Sequence, residues 1–358
     1  MANSNQGHIL AVLIMAVGAL RSRPVVEDQS KHLLSFYFIG LFLSAVMAWY
    51  FRGQNLLTSV LALKAYYSWV LYFTLHGLRV NERFLSGLIL SCAIVYVVCY
   101  QINLVTYPDI WFGQKVTDAR GSLRITFLGE AFMLYSIFLL VRKLLVSFNW
   151  LHLILIFAFM ATLFLRAGRS SIFSVFLVIV WLAVWKSRIT RLQLVMVTFL
   201  ILGAGASFFV YGGIWDGLIS ASIRDADLGA DYIRLLSANY YLFDHPEHWL
   251  NWLFGNGFHS GRSEYGQMVM GKLWGLRGFY AEDIGLLGFW SYFGLFTLVP
   301  YLLIVRKMFD KGAGLDINGY AFFLCLMAVT TNASYTFDSL LLQPILLYLL
   351  DLRSSHGG

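Results

Sequence analysis

Apolar residues fall in long unbroken blocks separated by short polar turns. A membrane-crossing helix needs about 20 mostly apolar residues, because backbone polar groups cannot go unpaired in hydrocarbon. The pattern predicts eleven such helices, near 7–20, 32–50, 55–77, 84–106, 125–141, 150–165, 171–185, 192–211, 280–304, 318–333 and 338–351. The first block and the last two are short for a full crossing. Between the eighth and ninth blocks the alternation stops, and residues 212–278 mix Asp, Arg, Trp and Gly with helical stretches such as 231–244. The expected fold is therefore all-α, a polytopic helical bundle with one large loop outside the membrane. Its parts are 1–211 carrying spans one to eight, 212–278 forming a partly helical cap, and 279–358 carrying spans nine to eleven.

Basic residues alternate between the short loops. One set holds Arg21, Arg23, Lys31, Arg79, Arg83, Arg142, Lys143, Lys186, Arg188, Arg191, Arg306, Lys307, Lys311 and Arg353, 14 in all. The opposite set holds 6: Arg52, Lys115, Arg120, Arg124, Arg166 and Arg169. The positive-inside rule places the larger set in the cytoplasm. The N-terminus is then expected outside, the C-terminus inside and residues 212–278 on the outer face.

Composition agrees with a membrane protein: 59% of the 358 residues are hydrophobic and 13% are charged, against about 25% charged in soluble domains. Mean hydropathy is +0.69. The 11 Trp and 20 Tyr suit two aromatic interface belts. The net charge of +7 is spread over span ends, which argues for orientation in the bilayer and against nucleic-acid binding. Cys92, Cys99 and Cys325 all lie in apolar blocks and read as small core residues, not as a disulfide or metal framework. No basic stretch precedes the first apolar block, which argues against a secretory signal.

The informative charges are those that orientation does not explain. Arg120, Arg124, Arg166, Arg169, Arg224, Arg234, Arg262 and Arg277 are all expected on the outer side. Guanidinium forks match phosphate oxygens and stay charged at any working pH, so such a set suits a diphosphate. The competing reading is headgroup snorkelling, or pairing with the seven acidic residues of the large loop. In LFGNGFHSG (253–261) the glycines allow a tight turn with close backbone approach, and His259 follows as a candidate general base or an idle surface imidazole. His245 and His248, in the turn DHPEHW, are weaker candidates. Glu282 and Asp283 stand at the outer mouth of span nine, either to position an acceptor or as helix N-terminal charges. Glu130, expected one turn inside span five, needs a partner such as Arg124, and Lys64 lies mid-span. Histidine spacing offers no metal site.

Between about residues 120 and 310 the chain resembles the O-antigen polymerase (Wzy) and O-antigen ligase superfamily of bacterial envelope enzymes. The matching features are many spans, a large late loop, Arg169–Ser170 opening a span, Arg234 ahead of Asp244–Pro246, the Gly-x-Gly-Phe at 255–258, and an acidic pair running into GLLG at 285–288. The resemblance implies a metal-independent, cofactor-free glycosyltransferase of GT-C-like fold in the bacterial inner membrane. Its partners would be undecaprenyl-diphosphate-linked oligosaccharides, the bilayer and a chain-length regulator. The growing glycan would pass from its lipid carrier to a new lipid-linked repeat unit at the periplasmic face. The family's arginines map onto Arg124, Arg166, Arg169, Arg234 and Arg277 as diphosphate ligands, and His259, Glu282 or Asp283 would take the proton. An O-antigen ligase acting on lipid A-core and a flippase are the competing functions. The polar residues concentrated on one face suit a surface enzyme better than alternating access.

Overall fold

The computed structural model describes residues 28–117, 123–166, 168–185, 220, 223, 227–310, 312–329 and 336–356. The blocks expected at 7–20 and 192–211, and Arg120 and Arg224, lie outside these residues. In chain order the helices are α1 (Asp28–Arg52), α2 (Leu56–Ala62), α3 (Val70–Leu78), α4 (Glu82–Val105), α5 (Glu130–Val146), α6 (Trp150–Leu165) and α7 (Arg169–Trp185). They continue as α8 (Ile233–Asn239), α9 (Leu250–Phe254), α10 (Glu264–Gln267), α11 (Leu286–Lys307), α12 (Leu315–Met327) and α13 (Phe337–His356). Among the described residues the strands are β1 (Gln114–Thr117) and β2 (Leu123–Thr126), an antiparallel pair with Val116 opposite Arg124. The described chain is thus overwhelmingly helical.

Among the described residues three helices are long and apolar enough to cross a membrane: Gln29–Arg52, Glu82–Val105 and Leu286–Lys307. A fourth candidate is the pair Leu56–Ala62 and Tyr66–Leu78, bent by 61°. Trp150–Leu165, Ser170–Leu182 and Leu315–Met327 are apolar but shorter.

Several expected elements change in detail. The continuous helix expected over 55–77 breaks between Ala62 and Tyr66, so Lys64 sits at the break and not mid-span. Block 125–141 begins as strand β2, and helix starts only at Glu130. Glu130 is therefore at the mouth of α5, not one turn inside. The helical stretch expected at 231–244 is α8 followed by a wide turn over Tyr240–Asp244.

The chain divides into two compact units. In the first, made of residues up to Asn81, Ala230–Asp310 and from Ala328 on, α1 and α11 run antiparallel. Gly40 lies so close to Thr297 that a β-carbon there would come within 2.3 Å of its Oγ1, the close approach that small residues permit between membrane helices. At one end of this pair Lys307 Nζ donates to Ser30 Oγ at 2.6 Å and lies 3.0 Å from Asp351 on α13. Asp351 also accepts from Tyr72 of α3 and stands 3.5 Å from His76 Nε2. One carboxylate thus joins α13, α11 and α3, and Lys307 extends the tie to α1. Arg52 and Leu286 mark the opposite end.

The second unit, Glu82–Gly229 with Lys311–Met327, is built on α5. The side chain of Asn149 caps α6 by accepting from Leu151 N at 2.8 Å, satisfying one of the amides that a helix start leaves open. Asp316 of α12 is fully buried, and it is held by Arg142 at 2.9 Å and by the Tyr135 hydroxyl at 2.7 Å.

Candidate functional site

The sequence GNGFHS folds against the Arg52 end of α1 and α11. Gly255 (φ 84°) and Gly257 (φ 77°) take left-handed backbone that other residues avoid. Neither has room for a side chain: a β-carbon on Gly255 would come within 2.1 Å of Tyr292 O, and one on Gly257 within 2.3 Å of Ala48 Cβ. The amides of Asn256 and Gly257 donate to Ser291 O and Tyr292 O, each at 2.9 Å. Those carbonyls are turned to the loop because α11 is broken at Gly294, whose φ of 71° and ψ of 173° are not helical.

Two polar residues at the end of α1 fix the loop's flanks. Arg52, buried except at its edge, donates to the Glu247 carboxylate, to His245 O and, at 2.8 Å, to Asn256 Oδ1. Its guanidinium also lies 5.6 Å from the centre of the Tyr265 ring. Gln54 accepts from Ser260 N at 2.9 Å and Ser263 Oγ at 2.6 Å, and donates to Phe258 O at 3.1 Å. In the sequence Arg52 reads as a loop charge, and Gln54 by itself carries no sign of a role. The available signal was their place at the mouth of a span, directly after an aromatic pair.

His259 is thereby held inside the protein and is not a surface group. Its ring stacks on Phe258 at 5.0 Å, meets Trp274 edge-on at 4.9 Å and lies 5.7 Å from Tyr292. Burial drives its pKa down to about 4, so it is neutral at pH 7, and Nδ1 is buried with no hydrogen-bond partner. His245 behaves likewise: its Nε2 is 3.1 Å from the Tyr265 hydroxyl. Burial first, then the positive charge of Arg52, lowers its pKa to about 3.

Glu282 occupies a short turn of 3₁₀ helix, Ala281–Ile284, ahead of α11. Burial pushes its carboxyl above the usual value, with Asp283 adding repulsion. Oε2 is buried and unpartnered. The carboxylate also acts electrostatically on Tyr241 and Tyr66. Tyr241 in turn neighbours Tyr292 at 6.2 Å, which neighbours His259. A neutral imidazole and a carboxyl whose proton affinity is raised by burial thus lie in the same unit, each with an open polar atom. Buried polar atoms normally find partners, so unpaired ones suit a polar ligand. Asp283 is half-buried on the same turn.

The arginines divide between the units. Arg277 is exposed, over the rings of Tyr240 at 5.6 Å and Phe279 at 5.9 Å. Arg234 lies on α8, next to Ile233, whose side chain approaches Gly278, so these two arginines belong to adjoining segments of the first unit. Arg166 lies in the second unit and forms an ion pair with Glu130. An acid at the start of α5 and a base at the end of α6 both suit the helix dipoles. Arg124 stands in β2 and Arg169 opens α7; their side chains lie outside the described residues. Among the described residues no cluster of three or more His, Cys, Asp or Glu could hold a metal ion. Compared with known protein families, curated proteins and solved structures, the chain matches none.

Proposed function

We propose that the protein is a polysaccharide polymerase of the bacterial inner membrane, built on about eleven spans with a GT-C-like arrangement. It transfers a growing glycan from undecaprenyl diphosphate to a new lipid-linked repeat unit at the periplasmic face. The observation that carries this reading is the pair of open polar atoms, His259 Nδ1 beside aromatic rings and Glu282 Oε2 on the turn ahead of α11, both buried. In the reaction, an acceptor sugar hydroxyl attacks the anomeric carbon. The bond from that carbon to the phosphate oxygen breaks, and the lipid diphosphate leaves with the electron pair. Glu282, with Asp283 beside it, or His259 receives the hydroxyl proton. Arg234 and Arg277, on adjoining segments of the first unit, stabilise charge on the leaving diphosphate. Neither a metal nor a cofactor is part of this chemistry.

A second reading, transport of lipid-linked oligosaccharide, is favoured by one feature: the break at Lys64 between helices bent by 61°. Interrupted helices often line transport sites. Deleting the gene in its host and running the surface polysaccharide on a gel separates the readings. A lost ladder with single repeat units still displayed supports the polymerase. Lipid-linked chains accumulating outside indicate a ligase, chains trapped inside a flippase, and an unchanged ladder overturns all three.

A further inference from the structure

The loop that carries the site does not stop at the helix ends. Phe254, at the end of α9, meets Phe296 of α11 with ring centres 5.9 Å apart. Leu253 O lies against Gly294, and Gly257 lies against Ser44 and Ala48 of α1. Phe296 lies two residues beyond the break in α11 at Gly294. Ser44 is eight residues before Arg52, about 12 Å. The 25 residues of α1 extend about 37 Å, against about 30 Å of hydrocarbon, an overhang of a few ångströms at each end. If α1 and α11 cross the bilayer, the turn at 254–257 lies about 10 Å inside its outer leaflet.

The descent is marked on both sides. Arg52 holds the incoming strand at His245 and Glu247, and Gln54 holds the returning one at Phe258, Ser260 and Ser263. Non-helical backbone survives at membrane depth only where protein satisfies it. Here the broken α11 does so, through Ser291 O and Tyr292 O.

The outward side of this segment is apolar and open. Phe243 is 65% exposed, Trp249 59%, Trp252 44% and Leu253 37%. The Trp252 indole donates to Leu242 O at 3.0 Å, and the Trp290 indole donates to Trp252 O at 2.8 Å. The polar edge of Trp252 is therefore satisfied, and what it presents is ring face. This surface continues into exposed Leu295 and Val299 of α11, and through Phe254 and Phe296 to exposed Phe36 of α1. On membrane-crossing helices, such side chains face acyl chains.

We infer that residues 244–260 form a re-entrant insertion in the outer leaflet, with Trp249, Trp252 and Leu253 against lipid, so that the candidate site meets the bilayer from the side. The inference rests on α1 and α11 as spans and is independent of the reaction proposed above.

Spin labels test it. In the full chain with Cys92, Cys99 and Cys325 replaced by alanine, single cysteines are placed at Trp249, Leu253, Glu264 and Lys272. The protein is reconstituted in phosphatidylethanolamine–phosphatidylglycerol vesicles. Labels at 249 and 253 should be relaxed more by oxygen than by a water-soluble nickel chelate, deepest at 253, while those at 264 and 272 show the reverse. Chelate access at 253 equal to that at 272 overturns the insertion. A second measurement needs no substitution: hydroxyl-radical labelling of the unmodified protein in the same vesicles. Trp249 should be oxidised several-fold less than Tyr280, although indole is the more reactive ring and Tyr280 is only 41% exposed. Oxidation of Trp249 at or above the Tyr280 level also overturns it.

Discussion

Arg52, the last residue of α1, donates to Oδ1 of Asn256, 204 positions away, at 2.8 Å. The same fork reaches His245 O and Glu247, so one guanidinium sets the position of both ends of the segment bearing the histidines. A lysine reaches at most part of this set, and the planar fork is lost while the charge remains. Arg52→Lys should cost about 1.5–3 kcal/mol, the worth of buried hydrogen bonds to a charged group. Glu247 is half-exposed, so Glu247→Gln should cost under about 1 kcal/mol. Thermal unfolding of the purified variants checks this; equal losses would mean that the exposed ion pair, not the buried fork, holds the segment.

The two buried histidines make the site acid-sensitive. Both bind protons more weakly folded, at about 4 for His259 and about 3 for His245, than unfolded, at about 6.5. The unfolded chain therefore takes up protons first. Stability is unaffected above about pH 6.5 and falls as pH drops from there toward the folded values. His259→Phe, which keeps an aromatic ring against Phe258 and Trp274, should flatten part of that fall. The quantity to measure is the difference in melting temperature between the variant and wild type at pH 7.5 and 4.5. A constant difference would show that His259 titrates normally.

In the proposed reaction Glu282 and His259 compete for the role of base, and pH separates them. A base works only when deprotonated, so activity declines as pH drops through its pKa. For Glu282 that decline should lie above the ordinary glutamate value of 4.5, because burial raises it. For His259 it should lie near 4. In vitro polymerisation profiles of wild type, Glu282→Gln and His259→Gln would show whose limb disappears. A limb surviving in both variants removes both residues from the role.

Arg277 offers a test of the proposed diphosphate ligands without much risk to folding, since it is exposed over Tyr240 and Phe279. Arg277→Lys keeps the charge but loses bidentate geometry. Polymer length should fall sharply while stability changes by less than about 1 kcal/mol, the usual bound for exposed charge contacts. Wild-type polymer length would sink the assignment.

Apolar block length made the helices legible. The block read at 150–165 is the observed α6, and the one at 84–106 differs from α4 by two residues at its start and one at its end. What it could not show were features that leave hydrophobicity unchanged. LALKAYYSW breaks a helix with neither glycine nor proline. LRITF begins an apolar run yet is strand, because it pairs with β1. Glu130 was expected beside Arg124, its near neighbour in sequence; its partner is Arg166, 36 positions on, brought close by two helix ends. Within the site, His259 was visible through its glycine turn and Glu282 through its acidic pair. Arg52 was hidden, because a basic residue at a span end already has a sufficient explanation in membrane orientation.

Gly294 is the position where chain chemistry and site geometry meet most tightly. A β-carbon there would lie 2.3 Å from Leu253 O and 2.4 Å from Gly255 N, both backbone atoms with no freedom to retreat. It would also favour negative φ, closing the break in α11 that turns Ser291 O and Tyr292 O toward the loop. Gly294→Ala should therefore displace residues 253–257 and expose His259 to modification, with activity lost. Gly53→Ala is the matched control: its φ of 63° is equally left-handed, but nothing lies within 4 Å of the added carbon. It should cost only the backbone preference, roughly 1–2 kcal/mol, and leave His259 protected. Diethyl pyrocarbonate labelling at pH 7 of the two variants reads the difference. If Gly294→Ala leaves His259 as protected as Gly53→Ala does, the loop does not depend on the break in α11.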